Sequence, residues 1–343
     1  MKIGKIQKSL NRSRCSSKNS LILDRTDALY ALVDPCCLCP HLCGARRLHG
    51  QKGACQAGPQ PKVAAALPHL GEEPPLCGQR GSGTVFFSNC SLRCLHCQNY
   101  EISLLGQGRA LTIDQLAELY LSIQSKGCHN LNLVSATHYL PFVIDALHRA
   151  RLKGFQLPVV YNSSGYERTA VLTLLEGVID IYLPDAKYGH SQQGKNLSSV
   201  SNYSEVNRQT IREMYRQVGS LVVDTQHLAT KGLIVRHLVL PNGLAGSRQV
   251  LRMMMEETAG QTPISLMGQY FPTPLAKENP LINRRITNEE WCQVLKWVDI
   301  FDIPQGWIQR PERANKSHYI PDFSSEYVFP FMIGKGSQQC LKD

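Results

Sequence analysis

From Thr84 onward, short apolar and β-branched runs alternate with longer amphipathic segments. That alternation restricts the chain to α/β architecture, a parallel sheet whose strands are joined by helical crossovers. Six strands are expected: Thr84-Val-Phe-Phe-Ser88, Asn130-Leu-Asn-Leu-Val134, Leu157-Pro-Val-Val-Tyr161, Val178-Ile-Asp-Ile-Tyr-Leu183, Leu233-Ile-Val-Arg-His-Leu-Val-Leu240 and Ile264-Ser-Leu-Met267. Thr112 suits the cap of a helix running to about Ser125, with Leu116, Leu119 and Ile123 on its inner face and Gly127 at its end. Further helices are expected near residues 140–153, 166–176, 204–218, 246–259 and 287–300. An open doubly wound sheet and a partly closed barrel share this pattern. In both, ligands bind beyond the carboxyl ends of the strands, so the residues just after each strand are the first site candidates.

Before Thr84 the composition differs. Residues 34–83 are rich in Cys, Pro and Gly, which predicts a loop-rich segment held by something other than a large core, with bound metal the natural candidate. Residues 1–33 read as a basic, disordered tail and residues 301–343, with Pro304, Pro311, Pro321 and Pro330, as an irregular one, leaving 84–300 as the α/β body. More than half of the net charge of +10 sits at Lys2, Lys5, Lys8, Arg12, Arg14 and Lys18, with no acid among the first 20 residues. A basic tail on a near-balanced body disfavours a nucleic-acid partner, and organellar targeting by the tail is the alternative to a plain solvated end. No apolar run reaches the ~20 residues that a membrane span needs. Thirteen cysteines in short spacings suit metal ligation in a reducing, cytoplasmic setting better than disulfides.

The sharpest local signal is Cys90-Ser-Leu-Arg-Cys94-Leu-His-Cys97, which begins where the first strand of the body ends. Three thiolates so spaced can converge on one metal cluster, and three leave an iron open to a ligand that is not protein. A fourth ligand from His96 or a distant Cys would instead make a closed, structural site. Upstream, Cys36, Cys39, Cys43 and Cys55 supply four thiolates from one short segment, enough to hold structural zinc or an auxiliary iron-sulfur cluster, with Cys37 as a substitute ligand.

The C-x3-C-x2-C pattern after a first strand resembles the radical S-adenosylmethionine (SAM) superfamily, whose fold is a partial (β/α)6 TIM-type barrel. The resemblance extends to the group of pyruvate formate-lyase activating enzymes through Cys39-Pro-His-Leu-Cys43-Gly, Gly71-Glu-Glu-Pro-Pro, Gly81-Ser-Gly-Thr, Cys97-Gln-Asn-Tyr-Glu-Ile-Ser, Tyr161-Asn-Ser-Ser-Gly-Tyr, Tyr182-Leu-Pro-Asp-Ala-Lys-Tyr, Arg236-His-Leu-Val-Leu-Pro and Met267-Gly-Gln-Tyr. It implies a 4Fe-4S cluster on Cys90, Cys94 and Cys97, with SAM on the fourth iron and His96 in the position that is usually aromatic. It also implies reductive cleavage of SAM to a 5′-deoxyadenosyl radical, an electron donor such as flavodoxin or ferredoxin, and a protein substrate whose glycine loses hydrogen.

Further candidates follow the later strands. Ser135-Ala-Thr137-His138 stands where many members of that superfamily carry Gly-Gly-Glu for the methionine amino group, which makes Thr137 and His138 its expected replacements or else a helix cap and an ordinary polar His. Asn162, Ser163 and Ser164 are expected at the cofactor ribose and carboxylate, or in a plain βα turn. Asp185 and Lys187 resemble the D-x-K of glycyl-radical activases, near cofactor and substrate. Arg236 and His237 are neighbours on one strand, so at most one of them faces a barrel interior. Radical modification of RNA or a peptide is the alternative enzymatic reading, and a metal-stabilised binding module the non-enzymatic one.

Overall fold

A computed structural model of the chain describes residues 22–303, 306–313, 321, 323 and 328. Eleven strands form among them: β1 (Lys62–His69), β2 (Ser82–Phe87), β3 (Arg109–Ala110), β4 (Leu131–Val134), β5 (Val159–Ser163), β6 (Ile181–Pro184), β7 (Val222–Val223), β8 (Ala229–Leu233), β9 (Val235–Leu238), β10 (Ile264–Met267) and β11 (Gly306–Gln309). β2, β4, β5 and β6 pair in parallel, and so do β9, β10 and β11. Main-chain contacts Ala186 N–H to Arg236 O (2.7 Å) and Ile234 N–H to Tyr182 O (3.0 Å) bridge the two sets at the end of β6 and the start of β9. The strand orders are β3-β1-β2-β4-β5-β6-β8-β7 and β11-β10-β9, with open edges at β3 and β11, so the barrel is partial.

β2, β4, β5 and β6 are buried on both faces, as parallel strands under helices must be. Outward-facing Val85, Leu133, Tyr161, Tyr182, Val235 and Leu266 join the main core beneath the helices. Alternate residues point inward, where Val160, Ile181, Leu183 and Ile234 pack with Leu76 in a separate cluster. Trp307 of β11 packs on this same inner cluster, so the last strand shares the interior with β5, β6 and Leu76.

The helices follow local chemistry. Thr112 and Gln115 form a reciprocal capping box at the start of Ile113–Ser125, which buries Leu116, Ala117, Tyr120 and Ile123. Thr287 and Glu290 do the same for Asn288–Ile300. Leu140–Leu152, Tyr203–Val218 and Ser247–Glu257 lie where periodicity expects them, whereas the helix expected over 166–176 contracts to Thr169–Thr173.

The termini depart from expectation. Residues 22–30 are helical, with Ile22, Leu29 and Val33 fully buried and Tyr30 donating to Asp145 at 3.1 Å, so the tail expected to run to residue 33 ends sooner. β1 pairs antiparallel with β2 and covers the edge of the parallel array, while β11 adds a strand inside the segment read as irregular. The basic residues at 1–20, Cys15 and Cys340 lie outside the described residues. Among the described residues no helix is long and apolar enough to cross a membrane.

One buried ion cluster anchors the cysteine-rich segment inside the barrel. Arg236 points inward from β9 and grips Glu73 through Nε and Nη2, both at 2.7 Å, and Glu72 through Nη2. Asn132 of β4 donates to Glu72 at 3.0 Å. Burial alone would raise the Glu72 carboxyl, but the Arg236 charge, together with His69, outweighs it and holds the group down at about 2. A depressed carboxyl of this kind stabilises the fold above its unfolded value, and the stabilisation is lost as pH falls below about 4.5. Replacing Arg236 by Leu strands two buried carboxylates and should cost about 3–5 kcal/mol in urea unfolding. Adding Glu72→Gln and Glu73→Gln should recover most of that loss; no recovery would show that the ion cluster is not the source of the effect.

Candidate functional site

The loop that leaves β2 carries the first cysteine set at the carboxyl end of the sheet. Cys97 N–H closes a turn on Cys94 O at 3.2 Å, and the loop is pinned from the far side by Arg93 N–H to Ser198 O (3.3 Å), Leu95 N–H to Leu197 O (2.9 Å) and Thr273 Oγ1 to Leu95 O (2.7 Å). Each sulfur has a donor. Leu92 N–H reaches Cys90 Sγ at 3.4 Å, Ser198 Oγ donates to Cys94 Sγ at 2.8 Å, and Ser103 Oγ lies 3.1 Å from Cys97 Sγ. Burial, then the neighbouring Cys94, pushes the Cys97 thiol up to about 11, and burial raises Cys90 and Cys94 as well. The Lys187 ammonium opposes that rise in all three. Unliganded, these are protonated thiols; a bound cation centre would draw off their protons and use the donors already in place.

Lys187 owes its position to Asp185, which it meets at 2.5 Å just past β6. Burial works against its charge, yet Asp185, then Cys94 and Tyr203, more than compensate and hold the ammonium well above its ordinary value. The main chain here is locked by the helix Tyr203–Val218: Lys187 N–H donates to Tyr203 Oη at 3.0 Å, the Tyr203 hydroxyl reaches Ser164 O (2.8 Å) and Asp185 O (3.1 Å), and Asn207 Nδ2 donates to both Gly165 O and Asp185 O at 2.9 Å. Gly165 (φ +68°) is required between them, because a Cβ would fall 2.0 Å from Asp185 O.

His96 is not a fourth ligand in this arrangement. It is buried with Nε2 2.7 Å from Tyr188 Oη, and burial, then Lys187, lowers its pKa to about 3, so it is a neutral positioning group. The Tyr188 hydroxyl in turn lies 2.5 Å from Ser198 Oγ, linking His96 to the donor on Cys94.

The residues after β4 and β5 divide. Asn162 and Ser164 lie on the inward alternation, and Ser164 Oγ is buried with no hydrogen-bond partner, as are Asn132 Oδ1 and Ser265 Oγ on the barrel's inner wall. Unsatisfied buried polar atoms facing an interior are what a polar ligand would complete. Ser163 turns outward and its hydroxyl accepts from Gly165 N–H at 3.2 Å. Thr137 and His138, expected near the cofactor, are committed elsewhere: Thr137 Oγ1 donates to Glu167 Oε1 at 2.8 Å, and His138 Nε2 lies 2.8 Å from Ser88 O. His237 likewise faces the helix layer, 2.6 Å from Ala186 O and 2.8 Å from Ser247 Oγ, and burial lowers its pKa to about 4, so Arg236 is the inward member of that pair.

Glu167 was not singled out by sequence, because only folding brings Thr137, Tyr161 and Ser163 round it. Tyr161 Oη lies 3.1 Å from both Thr137 Oγ1 and Glu167 Oε2. Arg47 escaped for the same reason, and Glu72 and Glu73 stood out only within Gly71-Glu-Glu-Pro-Pro, with no role attached until folding brought Arg236 to them.

The second cysteine set adjoins the first. His41, between Cys39 and Cys43, lies 2.7 Å from Ser91 O, and Arg168 reaches Cys37 O at 2.8 Å. Cys36, Cys39 and Cys55 are buried and Cys43 is exposed. Among the described residues no three Cys, His, Asp or Glu side chains gather round a point where one metal ion would touch them all, in either set. A four-iron cube presents a separate iron to each thiolate and does not ask for that convergence.

No protein-family model matches the sequence. Over 276 residues the chain is 29% identical to the uncharacterized protein MJ0674 of Methanocaldococcus jannaschii, covering 78% of this chain and 75% of that protein. Among solved structures, it is similar to a radical SAM methyltransferase from Sphaerobacter thermophilus, with a TM-score of 0.44, 13% identity and 66% of each chain covered. It is also similar to HydG, a maturase of the FeFe-hydrogenase, with a TM-score of 0.42 and 13% identity over 64% of this chain and 49% of that one.

Burial raises the Glu167 carboxyl to about 7 against the pull of its hydroxyl donors. A raised carboxyl takes up its proton more readily folded than unfolded, so its contribution falls as pH climbs from about 4.5 to about 7 and stays low above. Glu167→Gln should therefore flatten that decline and raise stability at pH 8 by up to about 3 kcal/mol. Chemical denaturation at pH 5 and pH 8 checks this; an unchanged difference between the two would refute the assignment.

Proposed function

We propose that the chain is a radical SAM enzyme, with a 4Fe-4S cluster on Cys90, Cys94 and Cys97 and SAM on the iron they leave open. The observation that carries this reading is the loop itself. Three cysteines, each with a hydrogen-bond donor at sulfur, follow the first parallel strand at the carboxyl end of a partial barrel, and the imidazole within their loop, His96, is held by Tyr188 instead. When bound, the two groups supply a one-electron cleavage of the sulfonium to methionine and a 5′-deoxyadenosyl radical that abstracts hydrogen.

This chain's own residues have distinct tasks in that reading. Leu92 N–H, Ser198 and Ser103 stabilise negative charge on sulfur, and Lys187 does so at longer range. Asn162 and the unpartnered Ser164 hydroxyl hold the polar groups of SAM in place of Thr137 and His138. Leu76, Val160, Ile181 and Leu183 form a dry floor beneath, which keeps water from a reactive radical.

The substrate we propose is a protein glycine, as in glycyl-radical activation. Asp185 and Lys187 support it, since an exposed edge of a carboxylate and an ammonium 2.5 Å apart offer an acceptor and a donor to a peptide backbone. Flavodoxin or ferredoxin would supply the electron. Radical modification of RNA or a peptide is the alternative, and its RNA form rests on the basic tail alone.

Anaerobic reconstitution, reduction and addition of SAM should yield 5′-deoxyadenosine. Cys94→Ala should bring the yield to background, while Cys43→Ala leaves the triad's cluster in place. An intact cluster that forms no 5′-deoxyadenosine would refute the radical reading, and a four-cysteine structural site would then be favoured.

A further inference from the structure

Arg47 is the electrostatic anomaly of the molecule. Its side chain is fully buried, its guanidinium donates to His138 O (2.6 Å) and Gly58 O (2.9 Å), and its Nε is buried without a partner. Among the described residues no carboxylate lies within ion-pair distance of it. A guanidinium does not lose its proton at any ordinary pH, so burying it without an anion is costly. The anionic candidates beside it are sulfurs: Nη1 is 3.9 Å from Cys36 Sγ, and its charge is felt at Cys55, which also senses Cys36 and Cys43.

These sulfurs lie beside the triad. Cys36, Cys39 and Cys55 are buried, as Cys94 is, and His41, two residues past Cys39, ties this loop to Ser91 O of the triad loop at 2.7 Å. The chain is shaped to converge them. Cys36 N–H to Ala45 O and Gly44 N–H to Cys36 O, both 3.0 Å, fold residues 36–45 into a knuckle, and Leu42 N–H to Cys39 O (3.0 Å) turns its tip. Gly53 leaves room for the exposed ligand, because a Cβ there would fall 2.4 Å from Cys43 Sγ.

We propose that Cys36, Cys39, Cys43 and Cys55 hold a second iron-sulfur cluster, anionic overall, and that Arg47 is its buried counter-cation. Binding converts the four thiols to thiolates with release of their protons, and four thiolates outweigh the charge of a cubane core. The resulting negative centre supplies Arg47, already hydrogen-bonded to two carbonyls and stacked over Tyr139, with the anion that no described carboxylate gives it. The cluster form is favoured over a single zinc ion because the set adjoins the triad loop through His41 and Ser91 O (2.7 Å), where a redox centre can pass an electron and zinc cannot.

The test does not depend on the triad. A chain carrying Cys90→Ala, Cys94→Ala and Cys97→Ala is reconstituted anaerobically with iron and sulfide, desalted, and assayed for iron, sulfide, zinc and visible absorption. About four irons per chain should remain, falling to background when Cys36→Ala and Cys39→Ala are added. Zinc in place of iron, or a folded chain that binds neither, would overturn the proposal. If iron stays while the wild-type chain cleaves no SAM, this inference stands and the radical reading falls. For Arg47, Arg47→Met in the triad-free chain should lose iron several-fold or shift its midpoint potential to more negative values, whereas Arg47→Lys retains both. Iron loading and potential unchanged in Arg47→Met would dismiss the counter-cation role.

Discussion

The grip of Arg236 on Glu72 and Glu73 joins the two halves of the chain, and much of the rest depends on it. Arg236 belongs to a strand on the far side of the sheet from β2, while the two carboxylates belong to the segment that runs from β1 into β2. A charge cluster inside a barrel is stable only if every member is paired, so its formation commits the cysteine-rich segment to the interior. With that segment in place, Leu76 completes the apolar floor, Asn130 joins Leu76 O to Ser82 Oγ, and β2 delivers its loop at the opposite end. The position of Cys90, Cys94 and Cys97 is thus set from below.

From above, the same loop is held by side chains that themselves need several strands at once. Tyr203 and Asn207 bind the carbonyls at the ends of β5 and β6, which fixes Asp185 and Lys187, and Lys187 extends its charge to the sulfurs. His96, Tyr188 and Ser198 form a hydrogen-bonded chain ending on Cys94. Groups of this kind gain their value from geometry, because a donor that is already aimed costs nothing to reorganise when charge appears. The two cysteine loops touch through His41 and Ser91, so the N-terminal segment closes the outer side of the site as well as the floor.

Much of the fold was legible because periodicity is a local property. The six parallel strands, the Thr112 cap and the helices Leu140–Leu152 and Tyr203–Val218 follow from spacing alone. What escaped was set by edges and neighbours. β1 carries Ala64, Ala65, Ala66 and Pro68, a poor strand by composition, and forms because β2 offers it an unpaired edge. β11 sits among prolines and forms because β10 would otherwise be exposed. The helix at 22–30 reads as the continuation of a basic tail until Tyr30 meets Asp145 and Phe142.

The candidate site divides along the same line. Sequence by itself determined that three cysteines follow a strand, that four more precede it, and that Asn162, Ser164, Asp185, Lys187 and Arg236 lie at strand ends or faces, because spacing and alternation are written in one dimension. Only tertiary structure decided which of them meet. It turned Thr137 toward Glu167, His138 toward Ser88 O and His237 toward Ser247, set Lys187 against Asp185, and buried Arg47 beside Cys36. The physical reason is that hydrogen bonding and burial belong to a residue's surroundings, and surroundings come from segments as far apart as Glu73 and Arg236.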